Sequence, residues 1–194
     1  MMVINWLKEC GFLLNNDNFS KILNEQSQPH EDFSHHLCAL WESAASEAEK
    51  LSVRTCIVRT GLVIGNDGGF IERMLLPFKY GLAGPIADGN QWMSWIHRND
   101  YIAIIFKLLD SDTLQGVFNA TAPNPVTNAE FTKTLAQILN KPAFIPVPAL
   151  LLKILLGEMA ELLISGQRVL PARLEKAGFK FKFKSLTSAL TDVL

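Results

Sequence analysis

Val53-Arg54-Thr55-Cys56-Ile57-Val58-Arg59-Thr60-Gly61-Leu62-Val63-Ile64-Gly65 decides the fold. Val53, Cys56, Ile57 and Val58 make a near-continuous apolar run, the pattern of a parallel strand covered on both faces. Thr60-Gly61 then breaks the strand into a loop. Just upstream, Leu37, Leu40, Trp41, Ala44, Ala45, Ala48 and Leu51 recur at helical spacing, predicting a helix from Asp32 that Ser52 ends. Helix, strand and loop in this order predict an α/β chain built on a doubly wound sheet. Such sheets hold dinucleotide phosphates on a glycine-rich turn after the first strand. Nowhere do the 194 residues read Gly-x-Gly-x-x-Gly, so the expected sheet is incomplete.

Downstream the alternation continues. Phe70–Tyr80 reads as a helix disturbed by Pro77, and Gln91–His97 as a short strand. Asn99 or Asp100 caps a helix over Tyr101–Leu109, and Gly116–Ala120 is a strand. Thr127-Asn128-Ala129-Glu130 is a capping box opening a helix whose stripe is Phe131, Leu135, Ile138 and Leu139. Ala149–Ile164 reads as a buried or amphipathic helix, and Pro171 and Gly178 bracket another. Phe179, Phe181 and Phe183 alternate with Lys180, Lys182 and Lys184 as a half-buried edge strand, and Ser185 starts the last helix. Met2–Leu7 is a short strand or a ragged end.

The composition narrows the function classes. Hydrophobic residues are 48% and charged residues 19%, a globular balance. A formal net charge of −1 leaves no basic excess for a phosphate backbone, which argues against nucleic acid. Cys10, Cys38 and Cys56 lack metal-ligand spacing and fit a reduced, cytoplasmic protein. The N-terminus lacks the features of a signal peptide. Phe144–Ile164 is interrupted by Pro146, Pro148, Lys153, Gly157, Glu158 and Glu161, so no membrane span is expected.

Several longer words carry a resemblance. Arg59-Thr60-Gly61-Leu62-Val63-Ile64-Gly65, Met74-Leu75-Leu76-Pro77-Phe78, Gly84-Pro85 to Gly89 and Gln91-Trp92-Met93-Ser94-Trp95-Ile96-His97 resemble segments of extended short-chain dehydrogenase/reductase proteins. So do Gly116-Val117-Phe118-Asn119-Ala120 and the run from Ser165-Gly166-Gln167-Arg168-Val169-Leu170-Pro171 to Gly178-Phe179. The set is similar to the atypical "epimerase family" subgroup, NAD-dependent epimerase/dehydratase-like, with cell-division-inhibitor-like members and a C-terminal domain of unknown function. The resemblance implies a Rossmann-type fold, an NAD(P) cofactor and a substrate closed in by the C-terminal segment. Residues 32–141 would be the C-terminal half of the NAD(P)-binding domain and 142–194 the family-specific, mostly helical domain, with 1–31 poorly defined. The dinucleotide-binding half would be missing.

The chemistry departs from that family. The Tyr-x-x-x-Lys pair of extended dehydrogenases is absent: Tyr80 and Tyr101 have Gly84 and Ile105 four residues on, and Ser34 and Cys38 stand where the pair would fall. The catalytic residues are therefore unknown. Thr60 and Gly61 are the candidates facing a cofactor, and Arg59, His97, Gln167 and Arg168 those facing a substrate. Arg168 has a five-donor fork suited to phosphate or carboxylate, or to capping a helix. His97 is a proton-transfer group or a hydrogen-bonding structural residue; Arg59 is an anion ligand or half of an ion pair. Cys38 is a reactive thiol or a small residue at the helix margin, and the adjacent His35 and His36 point apart, unsuited to one metal. The expected function is the C-terminal portion of an NAD(P)-dependent oxidoreductase, not catalytic as this chain alone. The alternatives are a non-catalytic interaction module related to cell division and an inert gene fragment. An unpaired sheet edge would favour self-association.

Overall fold

A computed structural model describes residues 21–27, 33–66, 69–157 and 164–194. Met2–Leu7 and Asp67–Gly68 of the expected turn lie outside them, as does part of the expected helix up to Ile164. The strands are β1 (Ile22–Leu23), β2 (Cys56–Thr60), β3 (Leu62–Ile64), β4 (Trp92–Met93), β5 (Trp95–His97), β6 (Gly116–Ala120), β7 (Val126–Thr127) and β8 (Arg168–Val169). The helices are α1 (Phe33–Ser46), α2 (Gly69–Lys79), α3 (Arg98–Asp110), α4 (Asn128–Leu139), α5 (Ala149–Leu156), α6 (Ala172–Lys176) and α7 (Leu186–Val193).

The pairing is mostly parallel. Cys56 to Thr60 run beside Gly116 to Ala120, Leu62 to Ile64 beside Trp95 to His97, and Ile22–Leu23 beside Arg168–Val169. Among the described residues, only β4 and β7 pair antiparallel. Gly61 is where the chain changes neighbours: its N–H donates to Ala120 O at 3.1 Å, and the Leu62 N–H donates to Ser94 O at 2.8 Å. A Cβ on Gly61 would collide with that Ser94 carbonyl, so glycine is required by the crossing strands.

Two apolar clusters hold these strand pairs. One gathers Ile64, Trp95, Phe131 and Leu135 with Phe183, Leu186 and Leu190 from the C-terminus. The other joins Val58, Ile96, Ile104, Leu108 and Phe118 to Leu174 and Phe181. Residues on both sides of position 142 thus share the same cores.

Four expectations change. The stripe on α1 is mostly turned outward: Ala45 is buried as expected, with Cys38 from its margin, whereas Leu37, Leu40, Trp41 and Ala44 are exposed. Periodicity locates an apolar face but not what lies against it. The expected strand Gln91–His97 splits at Ser94 because its halves serve different partners. Helix α3 is capped by His97, whose Nδ1 accepts from the Asn99 N–H at 3.1 Å. Asp100 instead accepts from the Lys182 and Phe183 N–H groups, each at 2.9 Å. That interaction explains the fourth change. Phe181 and Phe183 are buried and the lysines exposed, as the alternation predicts, but residues 179–184 form no strand. A carboxylate takes the N–H groups that a ladder would need.

Candidate functional site

The polar centre of the fold is the Ser94 break. With β4 and β5 diverging there, the Ser94 hydroxyl donates to Gln167 O at 2.6 Å and accepts from the Val169 N–H at 2.9 Å. This pair of bonds fixes the stretch 167–169 against β4. Gly166 permits the approach, since a Cβ there would collide with the Trp92 carbonyl. The Arg168 guanidinium then stacks on the Trp92 ring, its carbon 4.6 Å from the ring centroid. Gln167 Oε1 and Arg168 Nε are both buried atoms with no hydrogen-bond partner among the described residues. An acceptor and a charged donor left in this way are costly unless something else meets them.

Trp92 also walls a small cavity of about 30 Å³, together with Leu62, Phe70, Met74, Ile86 and Met93. Its polar members are Gln91, Asn128 and Ser165. Asn128 Oδ1 accepts from the Ile86 N–H at 2.8 Å, while Gln91 Nε2 donates to Ile86 O at 3.2 Å. The space is about one water's share of liquid volume. Trp92, which lines this space, and Arg168, stacked on its ring, form a rim with the neighbouring Gln167.

The other expected residues lie elsewhere or are engaged. Arg59 makes a two-point ion pair with Glu42 of α1, Nε to Oε1 and Nη2 to Oε2 both at 2.7 Å. The Thr60 hydroxyl donates to the Tyr101 hydroxyl at 3.3 Å. His97 is 2% exposed and its ring stacks on Phe183 at 3.7 Å between centroids. Its Nε2 lies 3.3 Å from Asp192 Oδ2, but without the alignment of a hydrogen bond. Burial pushes its pKa below the ordinary 6.5, against the opposing pull of Asp192 and Asp100. The residues brought together at the rim are thus Gln167 and Arg168 alone of the six. Sequence reasoning missed Trp92, Ser94, Gln91 and Asn128. The available signal was Gln91 and Ser94, polar residues interrupting an otherwise aromatic and apolar run.

The family model described as "NAD dependent epimerase/dehydratase family" matches residues 15–120, more than half of the chain. The chain belongs to that family. A second model, "Domain of unknown function (DUF1731)", matches residues 147–193. The "Epimerase family protein SDR39U1" of Mus musculus is 40% identical over 191 residues, covering 97% of this chain and 65% of its own length. The chloroplastic SDR39U1 homolog of Arabidopsis thaliana is 39% identical over 173 residues, covering 89% of this chain and 50% of its own. The chain therefore spans about half to two thirds of the length of these relatives.

Among solved structures, human epimerase family protein SDR39U1 with NADPH superposes with a TM-score of 0.86 at 35% identity, over 98% of this chain and 64% of that one. A nucleoside-diphosphate sugar epimerase from Corynebacterium glutamicum gives 0.78 at 28%, over 100% and 37%. Together they show the Rossmann-like α/β fold of NAD(P)-binding epimerases. The family implies a dinucleotide, but the residues described here do not fit one as a cradle. Gly61 is committed to the Ser94 crossing, and the Arg59 fork is engaged by Glu42. No described helix is long and apolar enough to cross a membrane. Among the described residues no cluster of His, Cys, Asp or Glu could hold a metal.

Proposed function

We propose that this chain is the substrate-side portion of an NAD(P)-dependent epimerase/dehydratase-like oxidoreductase, and that it does not carry out hydride transfer by itself. The observation that carries the reading is the pair of unpartnered buried atoms, Gln167 Oε1 and Arg168 Nε, beside the Trp92 ring. An anionic group presented to Arg168, with a donor presented to Gln167, would satisfy both. Residues 32–141 supply the Trp92 and Ser94 side of this rim, and 142–194 supply Gln167 and Arg168, the division of labour expected of the two segments. Thr60 and Gly61 stand at the cofactor-facing end of β2 in this reading, acting through backbone position only. The buried Cys56, in no disulfide among the described residues, supports a reducing compartment such as the cytoplasm.

The relative from Corynebacterium glutamicum makes a nucleoside-diphosphate sugar the natural first probe. Titrating the chain with UDP-glucose, Arg168→Met should weaken binding by about tenfold or more, the value of a lost charge-assisted contact. An unchanged affinity would refute the assignment of Arg168.

The interaction reading has its own support. Leu40 is 55% exposed on α1, and β2 has β6 as its single strand partner among the described residues. We propose that these surfaces favour self-association, measured by light scattering across a concentration series. A monomer throughout would refute it.

A further inference from the structure

A second concave site lies outside the rim just described. Helix α4 turns one face, Ala129, Thr132, Lys133, Ala136 and Gln137, with its C-cap Asn140, into a groove of about 660 Å³. The opposite wall is Pro85 with Lys141, Pro142 and Ala143. That wall is held in place by backbone bonds between two loops: Ile145 N–H to Ala83 O at 3.1 Å and Val147 N–H to Pro85 O at 2.9 Å. The volume is that of a small-molecule site rather than a solvent nick.

Its chemistry is one-sided. Lys133 and Lys141 line it, Gln137 and Asn140 add amide donors, and no carboxylate is among its lining residues. Thr132 provides an independent sign of a missing partner. It is 1% exposed, lines the groove, and its hydroxyl has no hydrogen-bond partner among the described residues. Helical threonines ordinarily return that bond to the preceding turn. Two ammonium groups and two amides around an alanine and proline floor, with the unpartnered Thr132 hydroxyl buried beneath it, suit a compact polyanion with little apolar bulk.

We propose that this groove binds a small polyanionic metabolite, carrying phosphate or several carboxylates, at a site separate from the Arg168 rim. The two sites are back to back. Asn128 and Ile86 wall the inner cavity, their sequence neighbours Ala129 and Pro85 wall the groove, and the Ile86 N–H to Asn128 Oδ1 bond of 2.8 Å joins the two walls.

The test uses the full chain labelled with ¹⁵N, titrated with citrate and separately with pyrophosphate, against sodium chloride at matched ionic strength. Saturable amide shifts centred on Thr132, Lys133 and Lys141 are expected with at least one of the two anions. Lys133→Gln combined with Lys141→Gln should weaken that binding by about tenfold or more. Thr132→Val, which keeps the shape and the helix, should weaken it without altering the fold seen in the spectrum. Shifts that sodium chloride reproduces, or that map away from α4, would overturn the proposal. Equal affinity in the double variant would overturn it as well.

Discussion

At the scale of single residues, the polar side chains with the most to do are structural. Arg54 shows this best: Nη1 donates to Leu108 O and Leu114 O at 2.9 Å each, and Nη2 to Leu109 O at 3.1 Å. It closes the C-terminus of α3, where the last carbonyls have no helical partner. Arg54→Met should cost about 1–3 kcal/mol in urea unfolding. His97 makes a pH-dependent contribution whose sign follows from its surroundings. Burial lowers its pKa below 6.5, so the native state holds it neutral and the unfolded chain takes up the proton first as pH falls. That stability is present above about pH 6.5 and is lost as pH falls towards the native pKa. His97→Asn, which keeps a capping acceptor, should show a smaller loss of melting temperature between neutral and mildly acidic pH than the parent. A steeper loss in the variant would refute this.

Elements were legible where local chemistry decides them. Thr127 caps α4 as its sequence predicts, accepting from the Glu130 N–H at 3.2 Å, and Ser185 caps α7 the same way at 3.3 Å. Thr127→Ala should therefore lower stability by about 1 kcal/mol. Strand β6 coincides with its predicted bounds for the same reason, a short buried run between turns. Where a long-range partner decides, the sequence was mute. Residues 179–184 have the alternation of a strand, yet Asp100, more than eighty positions away in the chain, takes the N–H groups. The α1 stripe misled because hydrophobic period carries no information about the neighbour it faces. At the site, Arg168 could be picked out from its chemistry alone. Ser94 stood out only as a polar break in an apolar run, and neither its bridging role nor the aromatic platform of Trp92 could be read, since both depend on where β8 lands.

At the scale of the whole molecule, the C-terminal residues finish cores begun by the Rossmann-like part, so the two matched family segments fold as neighbours on one framework. The rim proposed for an anionic ligand sits on that framework, while Gly61 and Arg59 are taken up by internal contacts. The measurement that bears most directly on this division is calorimetric titration of the purified chain with NADH and NADPH. Affinity of about millimolar or weaker for both is expected, because the sequence carries no Gly-x-Gly-x-x-Gly to hold the pyrophosphate. Micromolar binding of either dinucleotide would contradict the account.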